Sequence, residues 1–86
     1  MKRKIIETKN FSKTIKNLVK KRQLLENDYH ELQRELVKNP TIGDLIPGTG
    51  GIRKTRLKSA SKGKSGGFRV CYYDLSEKER LYLLVI

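Results

Sequence analysis

Between Gly48 and Tyr73 the chain carries seven cations, Arg53, Lys54, Arg56, Lys58, Lys62, Lys64 and Arg69, and no acid. Lysine and arginine combine charge with several hydrogen-bond donors, the chemistry that holds phosphate. Gly48, Gly50 and Gly51 precede the run, and Gly63, Gly66 and Gly67 interrupt it. Glycine lets backbone approach a ligand closely and turn through positive φ. Strand alternation puts Lys54, Arg56 and Lys58 on one face with Ile52, and Arg53, Thr55 and Leu57 on the other. Three of the charges therefore converge instead of dispersing. Arg69 stands in the middle of a second strand whose context is apolar, where an arginine needs a partner or a purpose. The segment reads as a surface for a phosphodiester backbone, with Arg53 and Lys58 as further phosphate-binding cations. Cleavage without a metal is within its chemical reach. Fixed cations stabilise the extra charge of a phosphorane-like transition state, and a lysine crowded by other cations can serve as a base.

Other chemistries are excluded by the same residues. Gly63-Lys64-Ser65 resembles the end of a nucleotide phosphate loop, but Lys58 stands where the first glycine is required and a strand follows in place of a helix. One histidine, His30, and one cysteine, Cys71, make no serine–histidine–acid triad, zinc set or intrachain disulfide. His30 reads as a partly exposed helix residue and Cys71 as a small buried apolar one. A two-metal nuclease needs clustered carboxylates, and acids are scarce around the basic run. No metal or cofactor is expected.

The whole chain agrees with that reading. Its 86 residues make one small domain, and a formal net charge of +11 favours polyanions, with an acidic protein as the next partner class. No stretch approaches the roughly 18–20 apolar residues of a membrane span, and only Ile5 and Ile6 follow the basic N-terminus before Glu7, which is no signal-peptide core. No segment joins a basic face to a strong lipid-seeking one. A cytoplasmic protein without a membrane partner is expected.

The elements that must position the cations follow from hydrophobic period. Residues 4–8 form a short strand. From Asn10, an N-cap candidate, Phe11, Ile15, Leu18 and Val19 make one helical face. Asp28 and Glu31 suggest a capping box for a second helix whose apolar stripe is Tyr29, Leu32, Leu36 and Val37, ended by Asn39-Pro40. A helical hairpin over residues 11–38 results. Strands follow at 52–59, 68–74 and 80–86, the last two joined by the polar turn at 76–79. The order β-α-α-β-β-β predicts an α+β domain in which the hairpin packs on one face of an antiparallel sheet.

The run NPTIGDLIPGTGGIRKTRLKSASKGKSGGFRVCYY, followed by LYLLVI, resembles the RelE/ParE toxin superfamily, closest to its HigB-like branch. The likeness spans nearly the whole chain and rests on G-x-G-G-[IL]-R-K-x-R, a loop ending G-K-x-G-G, and an R-[VI]-x-Y-Y strand. It implies a RelE-like fold and the toxin of a bacterial type II toxin–antitoxin module: an mRNA interferase that cleaves mRNA on the ribosome by metal-free attack of the ribose 2′-hydroxyl. By position, Lys54 and Arg56 match the family's basic pair that binds phosphate and helps to remove the 2′-hydroxyl proton, and Arg69 matches the arginine that stabilises the transition state. Lys62 and Lys64 would hold mRNA or ribosomal RNA. The implied partner is a HigA-like helix-turn-helix antitoxin, through which alone operator DNA is bound. The family's last strand continues into a segment that supplies a general acid, and then into a helix. This chain stops at Ile86, so the 86-residue chain is expected to be impaired as a nuclease while its full-length parent is active, and Leu81, Leu83 and Val85, or the face opposite them, are expected to lie open. Two alternatives remain: a ParE-like gyrase inhibitor, which lacks the basic set, and a non-catalytic RNA-binding protein.

Overall fold

The computed structural model describes residues 3–60 and 67–86. Strand β1 (Lys4–Glu7) leads into helix α1 (Lys9–Lys20). Thr8, not Asn10, is the cap. Its Oγ1 accepts the Phe11 amide at 3.1 Å and donates to the Leu84 carbonyl at 2.9 Å, so one hydroxyl both starts the helix and ties it to the last strand. Helix α2 (Glu26–Lys38) begins after Leu25 without a side-chain cap, and the expected capping box does not form. Asp28 sits instead in the first turn with Glu26, where carboxylates complement the positive end of the helix dipole. Asn39 closes α2 just ahead of Pro40, as expected.

Four more strands follow: β2 (Asp44–Leu45), β3 (Ile52–Leu57), β4 (Phe68–Leu75) and β5 (Arg80–Val85). A single 3₁₀ turn at Ser76–Lys78 joins the last two, with Glu79 in the left-handed region. The sheet order is β1-β5-β4-β3-β2. Neighbours run antiparallel from β2 to β5, whereas β1 lies parallel to β5. The α+β class and the hairpin-on-sheet arrangement are as expected; the sheet itself is mixed. A parallel pair needs a crossover of roughly a dozen residues or more, which the helical hairpin supplies. Arg3 fastens the start of β1 to the far end of β4 through a two-pronged pair with Asp74, Nε–Oδ1 at 2.7 Å and Nη2–Oδ2 at 3.1 Å.

Both helices cover one face of the sheet. Phe11, Ile15, Tyr29, Leu32 and Leu36 form the core with Leu57, Val70, Tyr72, Leu81 and Leu83. Full burial of a side chain of this size contributes about 1.5–3 kcal/mol. Of the two faces of which one was expected to lie open, that of Leu81 and Leu83 is completely buried, while Val85 is 59% exposed. A bulge separates them: Cys71 pairs with Val85 and Tyr72 with Leu83, so Leu84 is the extra residue and Val85 turns to the other face. Directly paired residues share a face. The side away from the helices therefore carries an apolar row, Ile6–Tyr82–Tyr73–Ile52, across four strands. Beside it runs Val85–Cys71–Lys54–Asp44, and next to that the pair Arg69–Arg56. Cys71 is only half-buried there, not enclosed in the core. Among the described residues no helix is long and apolar enough to cross a membrane.

Candidate nucleic-acid interface

The cationic face is assembled by register. β3 and β4 pair from Ile52↔Tyr73 to Leu57↔Phe68, which sets Arg56 directly opposite Arg69 and Lys54 opposite Cys71. All three cations are exposed, as is Lys58 just beyond β3. Like charges facing each other across a ladder repel, and a bound anion relieves that repulsion. Gly67 contributes the floor. A Cβ there would come within 3.2 Å of the Leu57 carbonyl oxygen, tighter than an ordinary contact, and would lie 3.9 Å from Arg56 Nε. Lys54, Arg56, Gly67 and Arg69 share a concavity of about 520 Å³, and Asp44 forms part of its wall.

Asp44 is brought there by a loop strapped from two sides. Tyr72, fully buried on β4, donates its hydroxyl to the Pro40 carbonyl at 2.8 Å and accepts the Gly43 amide at 2.9 Å. Burial drives its phenol above the ordinary tyrosine value, and the Gly43 amide opposes that rise. Arg53 Nη1 donates to the Gly43 carbonyl at 2.6 Å and to the Thr41 carbonyl at 3.3 Å. Only glycine fits at position 43, where a Cβ would lie 2.7 Å from the Lys54 carbonyl oxygen and 2.8 Å from the Tyr72 ring. Held this way, the chain enters β2 with Asp44 paired to Lys54 and Leu45 to Arg53.

The structure thus gathers Lys54, Arg56 and Arg69 on one surface and keeps Lys58 at its border. Arg53 faces the other way, its guanidinium on the 41–43 loop. Lys62 and Lys64 lie outside the described residues. His30 is exposed on α2, away from this surface. Sequence reasoning passed over Asp44, Gly43 and Tyr72. Asp44 carried one faint signal, as the last acid before the basic run; the other two read as a loop glycine and a strand aromatic.

No protein-family model matches the chain. Among solved structures, a double mutant of the E. coli toxin RelE in the free state aligns with it at a TM-score of 0.63 and 19% sequence identity, over 99% of this chain and 81% of that one. The likeness shows a shared fold: two helices on one face of a small mixed sheet, the RelE-like arrangement.

Proposed function

We propose that this protein is the toxin of a type II toxin–antitoxin system, a ribosome-dependent mRNA endonuclease of HigB-like type. The observation that carries the reading is the facing pair Arg56–Arg69 with Lys54 in the adjacent row, all lining one concavity of a RelE-like fold. Two guanidiniums side by side can each donate twice to non-bridging phosphate oxygens, and Lys54 lies about two strand residues, or 7 Å, further along. A phosphodiester seated there has its developing charge met by donors already in place, which is the condition for transition-state stabilisation. The ribose 2′-hydroxyl attacks the adjacent phosphorus, and a cyclic phosphate and a free 5′-hydroxyl are the products. Lys58, Lys62 and Lys64 extend the contact along mRNA or ribosomal RNA, and Arg53 serves by holding the loop that closes the concavity. The partner is an acidic HigA-like antitoxin with a helix-turn-helix domain, and operator DNA is bound through that complex. Both protein and partner act in the cytoplasm.

The cation set speaks against a gyrase-inhibiting ParE-like protein, which lacks it. A non-catalytic RNA binder is separated by product chemistry, since binding alone leaves no cyclic phosphate ends. The test is Arg69→Ala in the protein expressed from its complete reading frame, with mRNA cleavage and affinity measured on ribosomes. Loss of one transition-state donor lowers cleavage by about 10²–10³. Ribosome affinity falls far less, and Lys13→Ala on the exposed side of α1 changes neither. Cleavage by Arg69→Ala at the wild-type rate would falsify this placement of the active site.

A further inference from the structure

We propose that Asp44 is the proton acceptor of this site, an inference that rests on the endonuclease reading above. Attack by a 2′-hydroxyl needs a group to take its proton and another to supply one to the departing 5′-oxygen. Ammonium and guanidinium groups carry donors and no free lone pair, and arginine does not deprotonate in proteins. Lys54 would first have to lose its own proton to accept another, and in an in-line displacement the attacking and departing oxygens lie on opposite sides of phosphorus, so one side chain does not serve both. A carboxylate beside it resolves the conflict.

Asp44 is where such a group must be. Among the described residues it is the only acid lining the concavity that Lys54, Arg56 and Arg69 share. Register places it directly opposite Lys54, on the sheet face that carries the cations. It is exposed. Among the described residues the ion pairs within 4 Å are Arg3–Asp74 and Arg34–Glu31, so the Asp44 carboxylate and the Lys54 ammonium face each other without closing on one another. The position is also built: Tyr72 and Arg53 hold residues 40–43, and a glycine at 43 admits the close approach. Among the described residues, the charged and titratable groups around Asp44 are Arg53, Lys54 and Arg56 from β3 and Arg69 and Tyr72 from β4.

The step balances. The Asp44 carboxylate takes the 2′-hydroxyl proton as the 2′-oxygen bonds to phosphorus. The bond from phosphorus to the 5′-oxygen breaks, and Lys54, in place of the acid that the family resemblance puts beyond Ile86, delivers a proton to that oxygen. Arg56 and Arg69 hold the non-bridging oxygens throughout. Afterwards the proton on Asp44 passes to Lys54, and both regain their starting forms.

The competing role for Asp44 is a surface acid that merely tempers the charge of Lys54, and the test separates the two. In the protein expressed from its complete reading frame, Asp44→Asn is compared with wild type in single-turnover cleavage of ribosome-bound mRNA across pH, with Asp44→Glu as the conservative variant. Affinity is measured with mRNA whose 2′-hydroxyls are methylated. We expect Asp44→Asn to cleave about 10²–10⁴-fold more slowly, the usual scale for losing a general base. It should bind the methylated mRNA at least as tightly as wild type, because a negative charge beside phosphate is gone. The fall in rate towards acid pH should vanish in Asp44→Asn and persist in Asp44→Glu. Wild-type cleavage by Asp44→Asn, or an unchanged acid fall, leaves only the tempering role and overturns the proposal while the endonuclease reading stands. Absence of cleavage by the wild-type protein overturns both.

Discussion

Replacing Tyr72 with phenylalanine isolates the strap that builds the site. The ring stays, so packing in the core is kept, and only the hydroxyl is lost. Two hydrogen bonds go with it: the buried Gly43 amide loses its acceptor at 2.9 Å and the part-buried Pro40 carbonyl loses its donor at 2.8 Å. A buried donor left without a partner costs about 1–3 kcal/mol, and the second bond adds roughly 0.5–1.5 kcal/mol, so Tyr72→Phe should destabilise the fold by about 2–4 kcal/mol. For a domain of this length, a shift of roughly 4–8 °C per kcal/mol lowers the melting temperature by about 8–32 °C. Arg53 still grips the Gly43 and Thr41 carbonyls, which favours the lower end. Urea titration with circular dichroism measures the loss as a fall in midpoint at constant slope. Because Asp44 follows the strapped loop directly, mRNA cleavage should fall more than ribosome affinity does. A stability loss under about 0.5 kcal/mol, below what a single net hydrogen bond contributes, would refute the account of Tyr72 as the strap.

RNA binding should be steeply salt-dependent. With Lys54, Arg56, Lys58, Lys62, Lys64 and Arg69 on single-strand phosphates, log K against log salt should slope by about −4, and Lys54→Gln should flatten it by about 0.7; a flat titration removes the phosphate-binding surface. Alkaline pH should unfold the protein sooner than its lysine content alone predicts. Burial, followed by the hydrogen bond to Glu7, holds the Tyr29 phenol far above the usual range, and burial raises Tyr72 as well. A folded state that keeps these protons longer than the unfolded chain is favoured fully below the unfolded value near pH 10 and loses that advantage as pH rises beyond it. Unfolding free energy measured from pH 8 to 11.5 should therefore bend down above about pH 10, and Tyr29→Phe should show less of that bend.

Periodicity made much of the framework legible. The apolar stripes at Phe11, Ile15, Leu18 and Val19 and at Tyr29, Leu32 and Leu36 mark the two helices, and the alternation around Lys54, Arg56 and Arg69 marks the cationic strands. Such patterns are carried by residues a few positions apart, so local sequence suffices to read them. Local sequence does not show the cap at Thr8, because its hydroxyl is chosen by a carbonyl 76 residues away, and the expected all-antiparallel sheet fails at β1, because its parallel neighbour comes last in the chain. Strand β2 has two residues, too few for any period to show. Val85 was assigned to the face of Leu81 and Leu83 because a bulge in β5 is invisible to strict alternation.

The site divides along the same line. That this protein would present a dense cation set on strands followed from residue types alone, since charge and donor geometry belong to the side chains. That Arg56 meets Arg69, that Arg53 turns to a loop, and that Asp44 stands across from Lys54 were decided only when β2, β3 and β4 aligned. Cross-strand register is settled by core packing and by the Tyr72 and Gly43 contacts between distant segments, and a shift of one residue would send every one of these side chains to the opposite face.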